Sequence, residues 1–343
     1  MKKTVLVLLA LVLVITGCQN IDTADNNKLV IYTYDSLSAE WGLLPQILDE
    51  FKTQTSTEVE VVSFADTGTM MNQLILEKGA PRADIVLGLD NVNFPDAQKN
   101  DLLTAYTPTR ASEIDQSLLF NEDYLMTPFD YGYVGWVYDS EKIKFPDEIS
   151  LLDLASRKYK DQIIIEQVGA SSPGTQLLLW TKAALSADDY NTFWDNVASN
   201  VLTTAPDWST AYYSLFMEGE APIVLSYLTS PAYHIDQEQT DRYKAIAIKE
   251  GYMRQVEGVG VVNNANNEKL AQKFIDYLLT DQVQNKIPTT QWMFPVLGDA
   301  STWPEAYQQI ITPSAEQVLQ IDPAELSSDY NNWLTEWNEY FGI

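Results

Sequence analysis

The first eighteen residues constrain this chain more than any later stretch. Lys2 and Lys3 give a basic start, Val5 to Ile15 is an unbroken apolar run, and Ile15-Thr16-Gly17-Cys18 closes it. The run is too short to span a bilayer stably. Basic start, short apolar run and small closing residues are the layout of a secretory leader. Cys18 is also the only cysteine in the chain. A chain that leaves the cytoplasm with one cysteine can form no internal disulfide, so its core must hold the fold. It offers no thiol for nucleophilic catalysis or for a soft metal site.

The Ile15–Cys18 ending resembles the lipobox of bacterial lipoproteins, in which cleavage before the cysteine is coupled to its lipidation. That resemblance implies a leader over residues 1–17 and a lipidated Cys18 holding the protein to the outer face of the cell membrane. An ordinary leader with a chance cysteine is the alternative. Residues 18–27 then form a lipidated cysteine and a short polar tether, reaching at most roughly 30 Å.

The 326 residues that follow a 17-residue leader are long for one core and suit two domains. With 45% hydrophobic and 11% aromatic residues the chain has ample material for burial. Acidic residues outnumber basic ones 48 to 21, a net charge of −27 that becomes −29 when Lys2 and Lys3 leave with the leader. Such a surface disfavours nucleic acid and anionic lipid and steers cations inward, unless its acidity serves solubility alone.

Lys28–Tyr34, Val59–Phe64 and Ala83–Leu89 read as strands, separated by helical stretches over Ala39–Phe51 and Thr69–Lys78. This βαβαβ alternation predicts a mostly parallel α/β sheet. A second set follows: strands at Tyr131–Tyr138, Gln162–Glu166, Pro222–Tyr227, Lys244–Ile248 and Met253–Val262. Helices are expected from Ser172 through Leu185, over Asp207–Met217 and over Asn266–Thr280, with a helical tail. Trp333 and Trp337 in that tail are one turn apart and read as packing residues.

Ligands of open α/β sheets sit beyond the carboxyl ends of strands. Those ends here carry Tyr34-Asp35-Ser36 with Trp41, Asp66-Thr67-Gly68, Asp90-Asn91, Ser171-Ser172-Pro173-Gly174, Asp207-Trp208-Ser209, Tyr227 with Ser230-Pro231-Ala232-Tyr233-His234, and Gln291-Trp292-Met293. Aromatic rings mixed with small polar groups suit a flat, partly charged organic molecule. Ser172, Pro173 and Gly174 also suit an N-cap, a first helical position and a close approach, and helix N-termini attract anions. A plain capped helix explains the same three residues. Asp66 reads equally as a ligand contact or as a turn residue before Gly68.

The segments YTYDS (32–36), ADIVLGLDN (83–91), PFDYGYV (128–134), SSPGTQLLLW (171–180), VLSYLTSPAYHI (224–235), AQKFIDYLL (271–279) and IPTTQWMFPV (287–296) resemble the thiamine-binding proteins of bacterial ABC importers, in order and over nearly the whole exported chain. The resemblance implies a two-lobed type II periplasmic-binding fold with a ligand cleft between the lobes. It implies capture of thiamine and its mono- and diphosphate, delivery to ABC permease subunits, no cofactor, no bound metal, no nucleic acid and no covalent chemistry.

Tyr34, Trp41, Tyr233 and Trp292 become candidate aromatic contacts to the thiazolium cation. Such contacts contribute about 0.5 kcal/mol when exposed and ~2 or more when desolvated. Ser172, Gly174 and Trp208 become candidates for the phosphate or hydroxyethyl end, and Asp66 and Tyr227 for polar contacts. Lobe 1 is expected over 28–128, lobe 2 over 129–250, a return to lobe 1 over 251–295, and a helical segment over 296–343 packing on lobe 2, in a monomer.

Type I thiaminases share this architecture but use a catalytic cysteine, which the sole Cys18 does not supply. His234 is the only histidine and no Gly-x-Ser-x-Gly elbow occurs, which disfavours a serine hydrolase. Ferric-binding relatives use adjacent tyrosines after a strand, where this chain has Ser226-Tyr227-Leu228, and the pair Tyr212-Tyr213 falls in an expected helix. A polyamine receptor is the stronger alternative, because Asp35, Asp66 and Asp90 stand at strand ends.

Overall fold

The computed structural model describes residues 27–342. The leader and Cys18 lie outside the described residues. The main elements are β1 (Lys28–Tyr34), α1 (Leu43–Thr55), β2 (Glu58–Phe64), α2 (Thr67–Leu76), β3 (Ile85–Asp90), β4 (Thr127–Asp139), β5 (Ile163–Glu166), α3 (Ser172–Ala184), α4 (Ala187–Val197), β6 (Val201–Ala205), β7 (Ile223–Tyr227), α5 (Ser230–Gln237), β8 (Tyr252–Val262), α6 (Glu268–Leu278) and α7 (Pro323–Phe341). The strands lie in the order β2-β1-β3-β8-β4-β7-β5-β6.

Two parallel groups are joined by antiparallel strands. β1 pairs in parallel with β2 and β3, and β5 pairs in parallel with β6 and β7. Between them β8 runs antiparallel to β3, and β4 runs antiparallel to β8. β4 belongs to both groups: Thr127–Tyr133 pairs with β8, and Val134–Tyr138 pairs with β7. The near-continuous Val, Ile and Leu of β3 and β5 follow from burial on both faces, since parallel strands are covered by their crossover helices.

Around the first group, α1 and α6 bury Leu44, Ile47, Phe51, Phe274 and Leu278 against β1 and β3. On its other face α2 buries Met70, Met71 and Leu74. Around the second group, α3, α4 and α7 share a cluster that holds Trp136, Trp180, Trp194 and Trp337. Trp333 and Trp337 are buried there, and Trp337 meets Trp194 edge to face at 6.5 Å, so both tail tryptophans are packing residues. A buried aromatic of this size removes 150–250 Å² from water, a gross stabilisation of about 5 kcal/mol before entropy costs.

Three stretches depart from expectation. The first helix begins at Leu43 and not at Ala39, because Asp35–Ser38 makes its own single turn and Gly42 is the N-cap. α2 starts at Thr67, two residues early, because Asp66 caps it in a reciprocal capping box with Thr69. The tail is helical only from Pro323; 296–322 carries short 3₁₀ turns and a two-residue strand, Val318–Leu319, beside β8. Pro304 and Pro313 remove backbone donors from that stretch and keep it from continuing as a helix.

Candidate functional site

The carboxyl ends of β1, β5 and β7 and the N-termini of α2, α3 and α5 converge on one cavity where the two strand groups face each other. Eight of the nine expected ligand contacts line it: Tyr34, Trp41, Asp66, Ser172, Trp208, Tyr227, Tyr233 and Trp292. Gly174 does not. A Cβ on Gly174 would stand 2.4 Å from the Glu166 carbonyl oxygen, so the glycine lets α3 pack onto the end of β5 instead of making room for a ligand. Ser172 and Pro173 are the part of that turn that reaches the cavity.

The aromatic wall is interlocked. Trp208 stacks on Tyr212 at 5.2 Å, and its indole N–H donates to Ser226 Oγ at 2.9 Å. Tyr233 meets Trp292 edge to face at 5.5 Å. Trp292 also holds a left-handed backbone, φ 53°, which costs a bulky residue of order 1 kcal/mol. Helix Ile287–Thr290 ends two residues before it, and the Trp292 N–H returns to the Ile287 carbonyl at 3.2 Å. Trp41 is 44% exposed at the rim and contacts Tyr213 edge-on at 5.8 Å. Tyr34 fits because Gly88 has no side chain; a Cβ there would lie 2.3 Å from the tyrosine ring.

Tyr212 and Tyr213 were expected in a plain helix and line the cavity as well. They sit in a π-helical segment, Thr210–Phe216, an irregularity often found at functional sites. The Tyr212 hydroxyl bonds His234 Nε2 at 2.8 Å, and Glu238 faces His234 Nδ1 at 2.7 Å. His234 is fully buried between them, and burial lowers its pKa, as befits a histidine that satisfies local polar groups. Among the described residues no group of three or more His, Cys, Asp or Glu is arranged to hold a metal ion.

The polar wall is acidic. Asp35, Asp66 and Glu257 line the cavity, and no lysine, arginine or histidine does. Asp66 Oδ1 accepts from the Thr67 N–H at 2.7 Å and from the Ser172 N–H at 3.4 Å, so one carboxyl serves the starts of α2 and α3. Thr67 Oγ1 and Ser172 Oγ lie 2.9 Å apart at the same junction. Burial pushes the Asp66 carboxyl up to about 7, against the opposing pull of those N–H groups. Asp66 is therefore the cap of α2 and also lines the cavity.

Glu257, in the middle of β8, escaped the sequence reading because attention to strand ends passes over mid-strand residues. Its Oε2 accepts from the Tyr34 hydroxyl at 2.6 Å and its Oε1 from Gln255 Nε2 at 2.8 Å. Gln255 in turn accepts from the Tyr227 hydroxyl at 3.2 Å. Burial pushes Glu257 up to about 8. The one legible signal was a carboxylate next to the apolar half of the strand, VEGVGVV.

The sequence model of bacterial extracellular solute-binding proteins matches residues 41–285. A thiamine-binding periplasmic protein of Brucella abortus is 38% identical over 312 residues, 91% of each chain. Another, from Escherichia coli, is 37% identical over 309 residues, 90% of this chain and 92% of its own. A solved periplasmic thiamin binding protein superposes with a TM-score of 0.84 at 35% identity, covering 92% of this chain and 96% of the other.

Proposed function

We propose that this chain, which belongs to the bacterial extracellular solute-binding proteins and has their type II periplasmic-binding fold, captures thiamine and its phosphates outside the cytoplasm for an ABC importer. One observation carries the choice of ligand. The cavity sets eight aromatic rings and three carboxyls around one space with no basic side chain. A thiazolium cation gains from the faces of the rings, by up to ~2 kcal/mol for a desolvated contact, and from the carboxyls, while its flat pyrimidine fills the space between rings. The names of the relatives point the same way.

Tyr34, Trp41, Tyr233 and Trp292 are the proposed faces for the two heterocycles. Ser172 at the start of α3 is proposed for the hydroxyethyl or phosphate end, beside Trp208. Asp66 occupies that helix start, so a phosphate there needs the Asp66 carboxyl protonated, which its pKa of about 7 allows. Asp66 and Tyr227 supply polar contacts. Lobe 1 is proposed over 28–128 and 251–295 and lobe 2 over 129–250 with the tail packed on it, β4 and β8 being the crossing strands. Closure of the lobes, with no covalent chemistry, is the proposed working step. Cys18 is the proposed lipid anchor, and the working form a monomer.

Calorimetric titration of the exported chain, carrying Cys18→Ser to keep it in solution, tests the reading. Thiamine, its mono- and diphosphate and spermidine are the ligands. One-to-one binding of the thiamine series without heat from spermidine is expected. Binding of spermidine alone would transfer the cavity to a polyamine.

A further inference from the structure

Three carboxyl groups stand in one row across the strands beneath the cavity, and only the middle one, Glu257, lines it. In the strand register Glu257 of β8 lies opposite Asp90 of β3 on one side and opposite Asp130 of β4 on the other. Residues directly opposite in antiparallel strands share a face, and like charges so placed repel. The register shifts on β8 fall beside this row, between Glu257 and Gly258 and between Gly258 and Val259. Bulges of this kind re-aim side chains near functional sites.

All three groups are buried. Asp90 Oδ1 is held by the N–H groups of Val92 and Asn93, at 2.9 and 3.0 Å, but its Oδ2 has no hydrogen-bond partner among the described residues. Neither oxygen of Asp130 has one. The titratable groups that face Glu257 are Tyr34 from β1, Asp66 before α2, Asp90 from β3, Asp130 from β4 and Tyr227 from β7. Not one of them is a cation. Asp66 has two helix starts to balance its charge, whereas Glu257 has only neutral donors and three acidic neighbours.

We propose that Glu257 is the counter-charge that selects a cationic ligand, that Asp130 and Asp90 behind it tune its charge, and that ligand entry expels a proton from this row into bulk water. The proposal rests on the thiamine reading above. Unliganded, the row keeps protons because burial and mutual repulsion oppose ionisation. The positive nitrogen of thiazolium carries no proton, so one released on binding must come from the protein. Affinity then rises with pH up to about 8, where unliganded Glu257 is itself ionised, and levels off above it. Asp130 is a positioning residue that acts through Glu257.

Calorimetry of thiamine binding at pH 7, in buffers of different ionisation enthalpy, counts the protons. The wild type should release close to one. Glu257→Gln keeps the size and an acceptor for Tyr34; it should lose more than half of that count. It should also bind thiamine at least tenfold less well while binding the uncharged thiophene isostere of thiamine as the wild type does. Asp130→Asn relieves the repulsion, so it should move the pH at which affinity levels off to a lower value while affinity at pH 8.5 is kept. If Glu257→Gln weakens both compounds equally, or leaves the proton count unchanged, the counter-charge assignment falls. If the wild type binds neither compound, the thiamine reading itself falls and takes the counter-charge with it.

Discussion

One wall of the cavity, built on β1, α2 and β8, supplies all three of its carboxyls, Asp35, Asp66 and Glu257. The facing wall, built on α3, the π-helical turn, β7 and α5, supplies Trp208, Tyr212, Tyr213, Tyr227 and Tyr233 and not one carboxyl. The contrast shows how a cation site can be assembled at low cost. Carboxyls on an open wall are solvated, and aromatic rings on the other wall need no counter-charge. Burial is the largest cause of the raised pKa of Asp35, Asp66 and Glu257 alike. The walls touch through the Thr67–Ser172 hydroxyl pair, the Gly68 N–H to Ala170 carbonyl bond of 3.2 Å and the Ser209–Asp35 bond of 3.4 Å.

The aromatic side gives the largest effect. Tyr233→Ala together with Trp292→Ala should weaken thiamine binding by about 100-fold or more, roughly 3 kcal/mol, with the melting temperature little changed. The pH profile of the remaining affinity should keep its shape, because the three carboxyls are untouched. A profile that flattens in this variant breaks the division of labour between the walls.

Next comes Gly174→Val. Its added atoms collide with the Glu166 backbone, so stability should fall by about 2 kcal/mol, measured by urea unfolding. Affinity for thiamine and its monophosphate should fall together if at all. A selective loss for the phosphate would return Gly174 to the ligand site.

The third prediction is a stability effect in the unliganded protein. Asp66 and Glu257 titrate near 7 and 8 in the fold but near 4 in the unfolded chain. Between about pH 4 and pH 8 the folded state therefore holds protons the unfolded state has shed, and stability declines as pH rises. The melting temperature should be a few degrees higher at pH 5 than at pH 8. Melting temperatures that climb over this range would mean that the acids are already balanced by something other than a ligand.

The smallest expected change is Thr67→Val, which removes one hydroxyl contact across the seam. It should cost about 1 kcal/mol or less in stability and shift affinity by less than tenfold.

How far the site was legible follows the same division. Tyr34, Trp41, Trp208, Tyr233 and Trp292 were picked out through the resemblance to thiamine-binding proteins, and each lies in a loop or at a strand end and lines the cavity. Tyr212 and Tyr213 were visible as a pair, but they sit in a π-helical segment that no local propensity announces. Gly174 could not be placed from sequence, because a glycine at a helix start suits a ligand and a neighbouring strand equally; in the fold an added Cβ would stand 2.4 Å from the Glu166 carbonyl oxygen. The strands of the parallel groups were readable because apolar β-branched runs bounded by turn residues are a local signal. The stretch 296–322 was not, because its course is set by contacts with β8 and the second core.

By itself the sequence determined the export layout, the lack of any disulfide, the alternation of strands and helices and the aromatic strand ends, all of which are matters of residue type and spacing along the chain. The tertiary structure alone decided that Asp90, Glu257 and Asp130 stand in one row. They come from strands far apart in the chain, and an acidic residue shows its charge in sequence but not its neighbours. Burial and register, which exist only once the strands are paired, turn three carboxyls scattered along the chain into one buried acidic row.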